Sequence, residues 1–371
     1  MATELIPSLK SVVWERDGSQ LRLMYDIRDQ FVIADPDGQL ETLLVHLREG
    51  RLTVAELSEA LSVGERSVSP HEVREAITVL DAHGLVESVA SESEDASDRE
   101  RYHSNLAFFE SFASLERGRA DFQQALRESH VLVLGTGGLN SNTIPHLCGL
   151  GVGRLTLLDK DVVELRNFAR QYLYRYSDIG LPKVDVAADW VRAFDPSIKV
   201  ETISTELSGA ADIGDVLDAV GPDVVMSGVD SPSEIDDWVN AACVSRSVPY
   251  VRGGMFVTTG LVWSVDPGAS ACRECLTSSP DELDAEERTA DALFRTGERT
   301  NRGIGPVAGL LGSLCAFEVL RYLTRFEAPA YAGRPNVIDF AHGCAVREFE
   351  WKRNPACTVC APTARPAKRG R

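Results

Sequence analysis

The sequence predicts an α/β protein in which a mostly parallel sheet is preceded by a small α+β domain. An apolar run, Val131–Leu134, leads into a glycine-rich turn and a helix, and a second apolar run, Leu155–Leu158, ends at an acid. Alternating strand and helix patterns continue beyond it, as expected for a parallel sheet. Residues 1–88 instead combine short strand patterns with two capped helices. The 371 residues suffice for two domains.

Composition restricts the class of protein. The net charge of −18 repels a nucleic-acid backbone and argues against nucleic-acid binding. No uninterrupted apolar run approaches the ~20 residues that span a bilayer. The first ten residues, MATELIPSLK, do not resemble a signal peptide. We therefore expect a cytoplasmic protein that binds neither membrane nor nucleic acid.

The first domain is expected to be a winged helix. Thr53 with Glu56, and Ser69 with Glu72, form capping-box patterns at the starts of two helices. Residues 1–90 hold 8 Lys or Arg against 16 Asp or Glu, which disfavours binding to DNA phosphates. Peptide recognition and a purely structural role are the other interpretations. Strand patterns lie at Val12–Trp14, Leu21–Tyr25, Phe31–Ile33 and Leu85–Val86.

The rest of the chain is expected to form one larger domain. Residues 89–100 are small and polar and predict a linker, residues 101–362 form the domain, and the basic residues 363–371 form a disordered tail. Arg101–Leu126 carries an amphipathic helical pattern, and Pro280–Arg302 predicts a mobile crossover loop. Further strands are predicted at Val200–Ile203, Asp223–Ser227, Tyr250–Arg252 and Gly260–Val265, and further helices at Lys183–Phe194, 233–247 and Gly305–Leu323.

The glycine turn predicts a nucleotide-binding unit. Gly135, Gly137 and Gly138 allow a tight turn and let the backbone approach a ligand. Phosphates bind at the N-terminus of the helix that follows such a turn, and Asp159 at the end of the second strand is placed to bind ribose. Asn140 stands where the full G-x-G-x-x-G pattern has its third glycine. We expect it to be tolerated there because asparagine is a good helix N-cap.

Two C-x-x-C pairs predict a zinc site. Cys272 with Cys275, and Cys357 with Cys360, offer four thiolates that suit tetrahedral Zn²⁺. Four cysteine ligands leave no position for a catalytic water, so the metal would be structural; redox-active pairs are the alternative. The other cysteines are expected to be buried packing residues: Cys148, Cys243, Cys315 and Cys344.

A set of motifs in fixed order carries the strongest functional signal: GxGG, LLDKDVV, RNFARQ and IGLPK. Across about Arg101–Cys360 they resemble the ThiF/MoeB adenylyltransferases, relatives of ubiquitin-activating enzyme. The resemblance implies a Rossmann-like adenylation domain that binds ATP, acts as a homodimer and uses zinc to attach its C-terminal segment.

The resemblance also implies roles for individual residues. Arg170 and Lys183 would neutralise the triphosphate and act in catalysis, Asn167 would reach phosphate, and Gln171 would orient Arg170. Asp161 is expected to shape the loop, with ribose contact as an alternative. These residues would bind ATP together with the glycine turn and Asp159.

Asp230 is expected to hold Mg²⁺. It follows a buried strand at the edge where ligands of open α/β sheets bind. One carboxylate plus phosphate oxygens is a common arrangement for Mg²⁺. Such a site suits adenylyl transfer, in which a carboxylate attacks the α-phosphorus and Mg²⁺, Arg170 and Lys183 stabilise the leaving pyrophosphate.

Two departures from the family pattern affect this interpretation. Ser104 replaces the second arginine of an RYxRQ segment, which in the family reaches the partner subunit's triphosphate. The positive charge of the missing arginine could come from Arg101 or from a loop arginine, namely Arg295, Arg299 or Arg302. Residues 276–305 contain no cysteine, so the thioester-forming nucleophile of ubiquitin-activating relatives has no counterpart there.

The first domain resembles the PqqD-like leader-peptide recognition domains, in which a peptide adds a strand to the small sheet. Microcin-type peptide adenylyltransferases also join a peptide-binding region to this fold. We therefore expect an adenylyltransferase that activates a carboxylate or a C-terminal amide of a ribosomally made precursor peptide for a downstream modifying enzyme. The alternatives are a non-catalytic leader-binding partner of an azole-forming cyclodehydratase and an activator of a ubiquitin-like sulfur carrier. An NAD-dependent oxidoreductase would leave the cations and cysteine pairs without a role.

Overall fold

The computed structural model describes residues 5–26, 29–64, 66–89, 96–256, 258–277 and 303–361. Tertiary contacts divide the chain into two compact units, Met1–Gln124 and Ala125–Arg371. The predicted crossover loop with its arginines, the basic tail and linker residues 90–95 lie outside the described residues.

The first unit contains a three-stranded antiparallel meander followed by three helices. The strands are β2 (Val13–Asp17), β3 (Gln20–Asp26) and β4 (Asp29–Ala34), the helices are α1 (Gln39–Glu49), α2 (Val54–Leu61) and α3 (Pro70–Ala82), and β1 (Pro7–Leu9) pairs with β5 (Val86–Ser88). Both capping boxes form, with Thr53 and Ser69 accepting the N–H groups of Glu56 and Glu72. The sequence did not predict α1, which begins after Gly38 without a side-chain cap.

Three further helices follow: α4 (Ala96–Arg101), α5 (His103–Glu110) and α6 (Arg119–Glu128). The amphipathic pattern across Arg101–Leu126 is thus interrupted at residues 111–118. Local polar bonds stabilise the break, since Oδ2 of Asp121 accepts the N–H of Gly118 at 2.8 Å. A helical pattern in the sequence does not show where such bonds end a helix.

A buried charge cluster holds the helices after residue 96 in the first unit. Glu87 on β5 is 3% exposed and Glu110 on α5 is 6% exposed, and both accept hydrogen bonds from the guanidinium of Arg119. Glu110 also accepts the hydroxyl of Tyr25 at 3.2 Å. Burial lowers the pKa of the adjacent Lys10, while Glu87 and Glu110 oppose this. The recognition fold predicted for residues 1–88 is therefore bonded to the segment that follows it.

The second unit is built on an eight-stranded sheet with the order β13-β12-β11-β10-β9-β6-β7-β8. Its strands are β6 (His130–Leu134), β7 (Arg154–Leu158), β8 (Lys199–Ile203), β9 (Val224–Ser227), β10 (Tyr250–Phe256), β11 (Thr259–Val265), β12 (Asn336–Asp339) and β13 (Ala345–Glu348). Strands β8, β7, β6, β9 and β10 pair in parallel, and β11, β12 and β13 are added in antiparallel pairings. The predicted mostly parallel sheet is therefore confirmed. The strand order reverses between β6 and β9, and ligands of such sheets bind at the carboxyl ends beside this switch point.

The described helices of the second unit, after α6, are α7 (Asn140–Leu150), α8 (Lys183–Phe194), α9 (Ala210–Val220), α10 (Ile235–Ser245), α11 (Arg273–Thr277) and α12 (Gly305–Thr324). By length and composition α12 could cross a membrane, but 61% of its apolar 18-residue stretch is buried within the protein. Its Glu318 is fully buried and accepts the N–H groups of Ala330 and Tyr331 at 2.9 and 2.8 Å. Together with its packing against α7 and β10, these bonds make α12 a core helix.

Three of the four cysteines expected to be buried lie in the core. Cys148, Cys243 and Cys315 are 0% exposed. The expectation is wrong for Cys344, which is exposed. This residue ends the turn between β12 and β13 with a φ of 59°, at the edge of the sheet where its side chain has little to pack against.

Candidate active site

The glycine turn lies at the switch point of the sheet. Gly135 has a φ of 78°, a conformation that favours glycine. Its N–H donates to the carbonyl of Leu158 at 2.7 Å, and the N–H of Gly228 donates to the carbonyl of Leu134 at 2.9 Å. A Cβ on Gly135 would lie 3.1 Å from Cγ2 of Val229. The turn therefore passes directly beside the chain that leaves β9.

Asp159 fixes this turn by bonding to Thr136. The N–H and hydroxyl of Thr136 both donate to Oδ2 of Asp159, at 2.7 and 2.9 Å, and Oδ1 accepts the N–H of Asp161 at 3.0 Å. Tyr174 donates its hydroxyl to the carbonyl of Thr136 at 2.7 Å, and burial raises its pKa, so it remains a donor. Thr136 and Tyr174 were not predicted from the sequence, although a hydroxyl within a glycine turn and a tyrosine beside RNFARQ are visible signals.

Arg170 and Gln171 face the glycine turn. A Cβ on Gly138 would lie 2.7 Å from Nε of Arg170, so this side chain lies across the turn. Burial lowers the pKa of Arg170, and the negative charge of Asp230 opposes this effect. Gln171 is 3% exposed, and its Oε1 has no hydrogen-bond partner among the described residues. Its predicted role in orienting Arg170 stays a prediction.

Lys183 is held at the site by Asp161. It is the first residue of α8 and is 5% exposed. Its Nζ donates to Oδ2 of Asp161 at 2.9 Å, and its backbone N–H donates to the carbonyl of the same residue at 2.9 Å. Asp161, whose side chain is 55% exposed, thus keeps a buried ammonium group beside the carboxyl end of β7.

Asn167 shapes the segment that presents Arg170. Its Oδ1 accepts the N–H of Glu164 at 2.9 Å, and its carbonyl accepts the N–H groups of Arg170 and Gln171 at 3.1 and 3.0 Å. The segment is a 3₁₀ turn, Leu165–Ala169. The phosphate contact predicted for Asn167 stays a prediction, and the bonds described give it a local structural role.

Asp230 is bonded to a buried arginine. Its side chain is 68% exposed, and its Oδ1 accepts Nη2 of Arg252 at 3.1 Å. Arg252 also donates from Nε to Asp236 at 2.6 Å. Burial disfavours the charged form of Arg252, but Asp236 and Asp230 outweigh this and raise its pKa. Arg252 was not predicted from the sequence, although an arginine in the otherwise apolar β10 requires a buried partner.

Asn140 does not cap α7, contrary to expectation. The residue belongs to the first turn of the helix, is 0% exposed and makes no side-chain capping bond. Its Nδ2 instead donates to the carbonyls of Leu134 and Gly135, at 3.0 and 2.7 Å. A Cβ on Gly228 would lie 2.7 Å from Nδ2. Asn140 therefore joins the end of β6 to the helix, and Gly228 leaves the space for its amide.

The four cysteines of the C-x-x-C pairs converge in the core. Their Sγ atoms lie within 4.8 Å of one another, and all four residues are buried. The Sγ of Cys275 lies 3.4 Å from that of Cys360 and 3.9 Å from that of Cys272. These separations exceed a disulfide bond of ~2.05 Å and are compatible with four thiolates around one ion.

The sequence matches the ThiF family over residues 108–359. The chain belongs to the ThiF family of adenylyltransferases. It is 32% identical over 242 residues to the sulfur carrier protein ThiS adenylyltransferase of Escherichia coli strain K12, covering 65% of this chain and 89% of that relative. It is also 32% identical over 239 residues to the molybdopterin-synthase adenylyltransferase of Salmonella typhimurium, covering 64% and 89%.

This ThiF chain also resembles a solved structure over nearly its whole length. E. coli MccB, solved with ATP, superposes with a TM-score of 0.70 at 20% identity, covering 95% of this chain and 99% of MccB. MccB is described as a microcin C7 biosynthetic enzyme and has also been solved with N-formylated MccA. At this identity the likeness shows the fold, which agrees with the predicted α/β class.

We predict that Asn140→Gly, which restores the third glycine of the pattern, destabilises the protein. The change removes two buried hydrogen bonds, each contributing about 0.5–1.5 kcal/mol. The carbonyl of Leu134 keeps the N–H of Gly228, but the carbonyl of Gly135 loses the Asn140 donor. Gly228→Ala alone should cost about 1–3 kcal/mol because its methyl group meets the Asn140 amide. Free energies of unfolding from urea titrations provide the measurement.

The double variant distinguishes direct contact from general damage. With Asn140 replaced by glycine, the Gly228→Ala methyl group has space, so the two losses should fall short of additivity by about 1 kcal/mol or more. Strict additivity would contradict the proposed packing of Asn140 on Gly228.

Proposed function

We propose that the chain is an ATP- and Mg²⁺-dependent adenylyltransferase that activates a carboxylate, or a C-terminal amide, of a ribosomally made peptide. The assembly of Lys183, Arg170 and Asp230 around the glycine turn carries this proposal. Arg170 lies across Gly138 of the turn, Lys183 is bonded to Asp161, and the negative charge of Asp230 acts on Arg170. Membership of an adenylyltransferase family supports the reaction class.

The residues of the site supply complementary functions. The turn Gly135–Gly138 would present backbone to the phosphates at the N-terminus of α7, while Arg170 and Lys183 neutralise their charge. Asp230 would hold Mg²⁺: its carboxylate is exposed, and within the described residues only Oδ1 is hydrogen-bonded. When bound, Mg²⁺ stabilises the negative charge of the leaving pyrophosphate. Asp159 and Asp161 are proposed to bind the ribose or to orient the loop around it.

The first unit supports a peptide as the substrate. Strand β4 is an edge of the three-stranded sheet, so its outer backbone groups can pair with an added strand. Beside it, the ring centroids of Phe31 on β4 and His83 at the end of α3 lie 4.6 Å apart. Val79, one helical turn before His83, is 53% exposed. We propose that the leader pairs with β4 and packs its side chains against α3.

A partner subunit and a downstream enzyme complete the proposal. Leu165, Tyr172 and Tyr176 expose 63%, 62% and 75% of their surfaces in the second unit, and we propose that a second copy of the chain covers them. The sequence holds no cysteine at residues 276–305, so the activated acyl group would pass directly to an external nucleophile or a modifying enzyme. The protein is proposed to be cytoplasmic.

Activation of a sulfur carrier is the second candidate function. The relatives at 32% identity include an enzyme named for the sulfur carrier ThiS. The family match begins at residue 108, however, and a sulfur-carrier function would leave residues 1–107, most of the first unit, without a role. A non-catalytic leader-binding partner is disfavoured by the assembled cations and Asp230.

We also propose that Cys272, Cys275, Cys357 and Cys360 bind a structural Zn²⁺. Their buried sulfurs are close enough to share one ion, which would attach residues 357–360 to α11. Redox-active pairs are disfavoured because a thiol that exchanges needs access to its partner, and these four are buried.

The adenylation proposal predicts ATP–pyrophosphate exchange that depends on a short precursor peptide, for which open reading frames beside this chain's gene are the candidates. Lys183→Ala and Asp230→Asn should each lower the exchange rate about 100-fold, because each removes a charge that acts on the phosphates or the metal. Lys199→Ala, which removes an exposed lysine on β8, is the matched control and should stay within about twofold of wild type. Absence of exchange with the peptide, combined with exchange on a Gly-Gly-ending carrier, would favour the second candidate.

The zinc proposal predicts about one Zn²⁺ per chain in purified protein, measured by elemental analysis. Cys357→Ser should abolish that content and lower the melting temperature, because four thiolates hold the C-terminal segment. Cys344→Ser alters an exposed cysteine outside the cluster and should retain the metal. Metal-free wild-type protein with no free thiols in the cluster would contradict the proposal.

The leader-binding proposal predicts that Val79→Glu weakens binding of the precursor peptide at least about tenfold, or ~1.4 kcal/mol, in calorimetry. A carboxylate on the surface of α3 that we assign to the leader would lose its hydration when the peptide covers it. Val63→Glu changes another exposed valine of the same unit, 74% exposed after α2, and should bind normally. Equal effects of both variants would exclude this face of α3.

A further inference from the structure

Arg252 is a buried cation in an otherwise apolar strand. It lies on β10 and is 6% exposed. Its Nε donates to Oδ1 of Asp236 at 2.6 Å, its Nη2 donates to Oδ1 of Asp230 at 3.1 Å, and its Nη1 donates to the carbonyl of Gly253. Because a guanidinium presents its donors in a rigid planar fork, these bonds fix the position of Asp230 relative to Asp236.

The two carboxylates differ in their surroundings. Asp236 lies in the first turn of α10 and its side chain is 16% exposed, whereas that of Asp230 is 68% exposed. The neighbouring Asp237 accepts Nε of Arg273 at 2.9 Å, which ties the same helical turn to α11. Arg252 thus bridges two carboxylates: Asp236, at the inner end of the bridge, is anchored in the fold, and Asp230, at its outer end, lies at the candidate active site.

We propose that Arg252 is a positioning residue that orients Asp230 as a single-oxygen ligand for Mg²⁺; this inference rests on the proposed adenylyltransferase function. Arg252 occupies Oδ1 and leaves Oδ2 for the metal. Mg²⁺ demands a strict coordination geometry, so a carboxylate held in one orientation binds it better than a freely rotating one. The second carboxylate, Asp236, balances the positive charge of Arg252, which would otherwise repel the metal.

Direct contact of Arg252 with the nucleotide is disfavoured by the same contacts. Each of its three nitrogen atoms already donates to an acceptor, and its side chain is 7% exposed. Arg252 and Lys183 therefore have different roles. The nucleotide can replace the exposed Asp161 as the partner of Lys183, whereas Arg252 keeps the mostly buried Asp236 and the carbonyl of Gly253.

The test compares metal binding with nucleotide binding in Arg252→Met. In Mn²⁺ titrations followed by electron paramagnetic resonance, with a non-hydrolysable ATP analogue bound, the Kd for Mn²⁺ should rise about 10–100-fold. Nucleotide affinity without metal should change less than about threefold. Pyrophosphate exchange should need correspondingly more Mg²⁺ and recover to within about threefold of wild type at saturation, because Asp230 is still present. Arg252→Lys keeps the charge but cannot bridge both carboxylates, so its Mn²⁺ Kd should stay at least about tenfold raised.

Arg246→Met is the matched control. Arg246 pairs with Asp218 at 2.7 Å and lies at the other end of α10, so its loss should leave the Mn²⁺ Kd unchanged. If Arg252→Met does not fold, Asp236→Asn replaces it, because it loosens the same bridge while keeping the side-chain volume. An unchanged Mn²⁺ Kd in a folded variant, or equal losses of metal and nucleotide affinity, would overturn the inference. Wild-type protein without exchange activity would instead reject the proposed function.

Discussion

The candidate active site depends on the close approach of two strand ends, those of β6 and β9. Gly228 has no side chain, so the amide of Asn140 can lie against it and bond to the carbonyls of Leu134, at the end of β6, and Gly135 in the turn. This approach determines where the glycine turn passes and where the chain toward Asp230 begins. Other site residues are then attached to the turn, Asp159 through Thr136 and Arg170 through its packing on Gly138.

Carboxylates keep the cations of this acidic protein in place. Lys183 and Arg252 are both buried, and each is bonded to an aspartate that is more than half exposed. A buried cation without such a partner would be costly. At Lys183 another anion can replace the exposed carboxylate of Asp161, whereas Arg252 also keeps the mostly buried Asp236. The strong excess of acidic residues is thus compatible with a site that binds a polyanion. The local pairing of charges, rather than their total, determines what binds.

The sequence predicted the parallel strands, the α7 and α8 helices and the positions of the glycine turn, Lys183 and Asp230, because each depends on short-range patterns. It did not predict the break between α5 and α6, which depends on polar bonds such as that of Asp121 to Gly118. Arg252 was missed because its role depends on Asp236 and Asp230, which lie on other elements. Asn140 was predicted to cap α7 because a sequence motif shows only where a residue lies in the chain. The direction of its side-chain amide depends on its contact with Gly228.

The charge cluster of Glu87, Glu110 and Arg119 determines where the first unit can be exchanged between proteins. A chimaera joined in the polar segment near residue 95 would take Glu87 and Lys10 from one parent and Arg119 from the other. Glu87 would then be separated from Arg119, and Glu110 would be separated from Tyr25, so a substrate swap would fail through misfolding rather than through poor recognition. Junctions placed after residue 124 keep the cluster intact. The recognition fold predicted for residues 1–88 would therefore be exchanged only together with the segment that follows it.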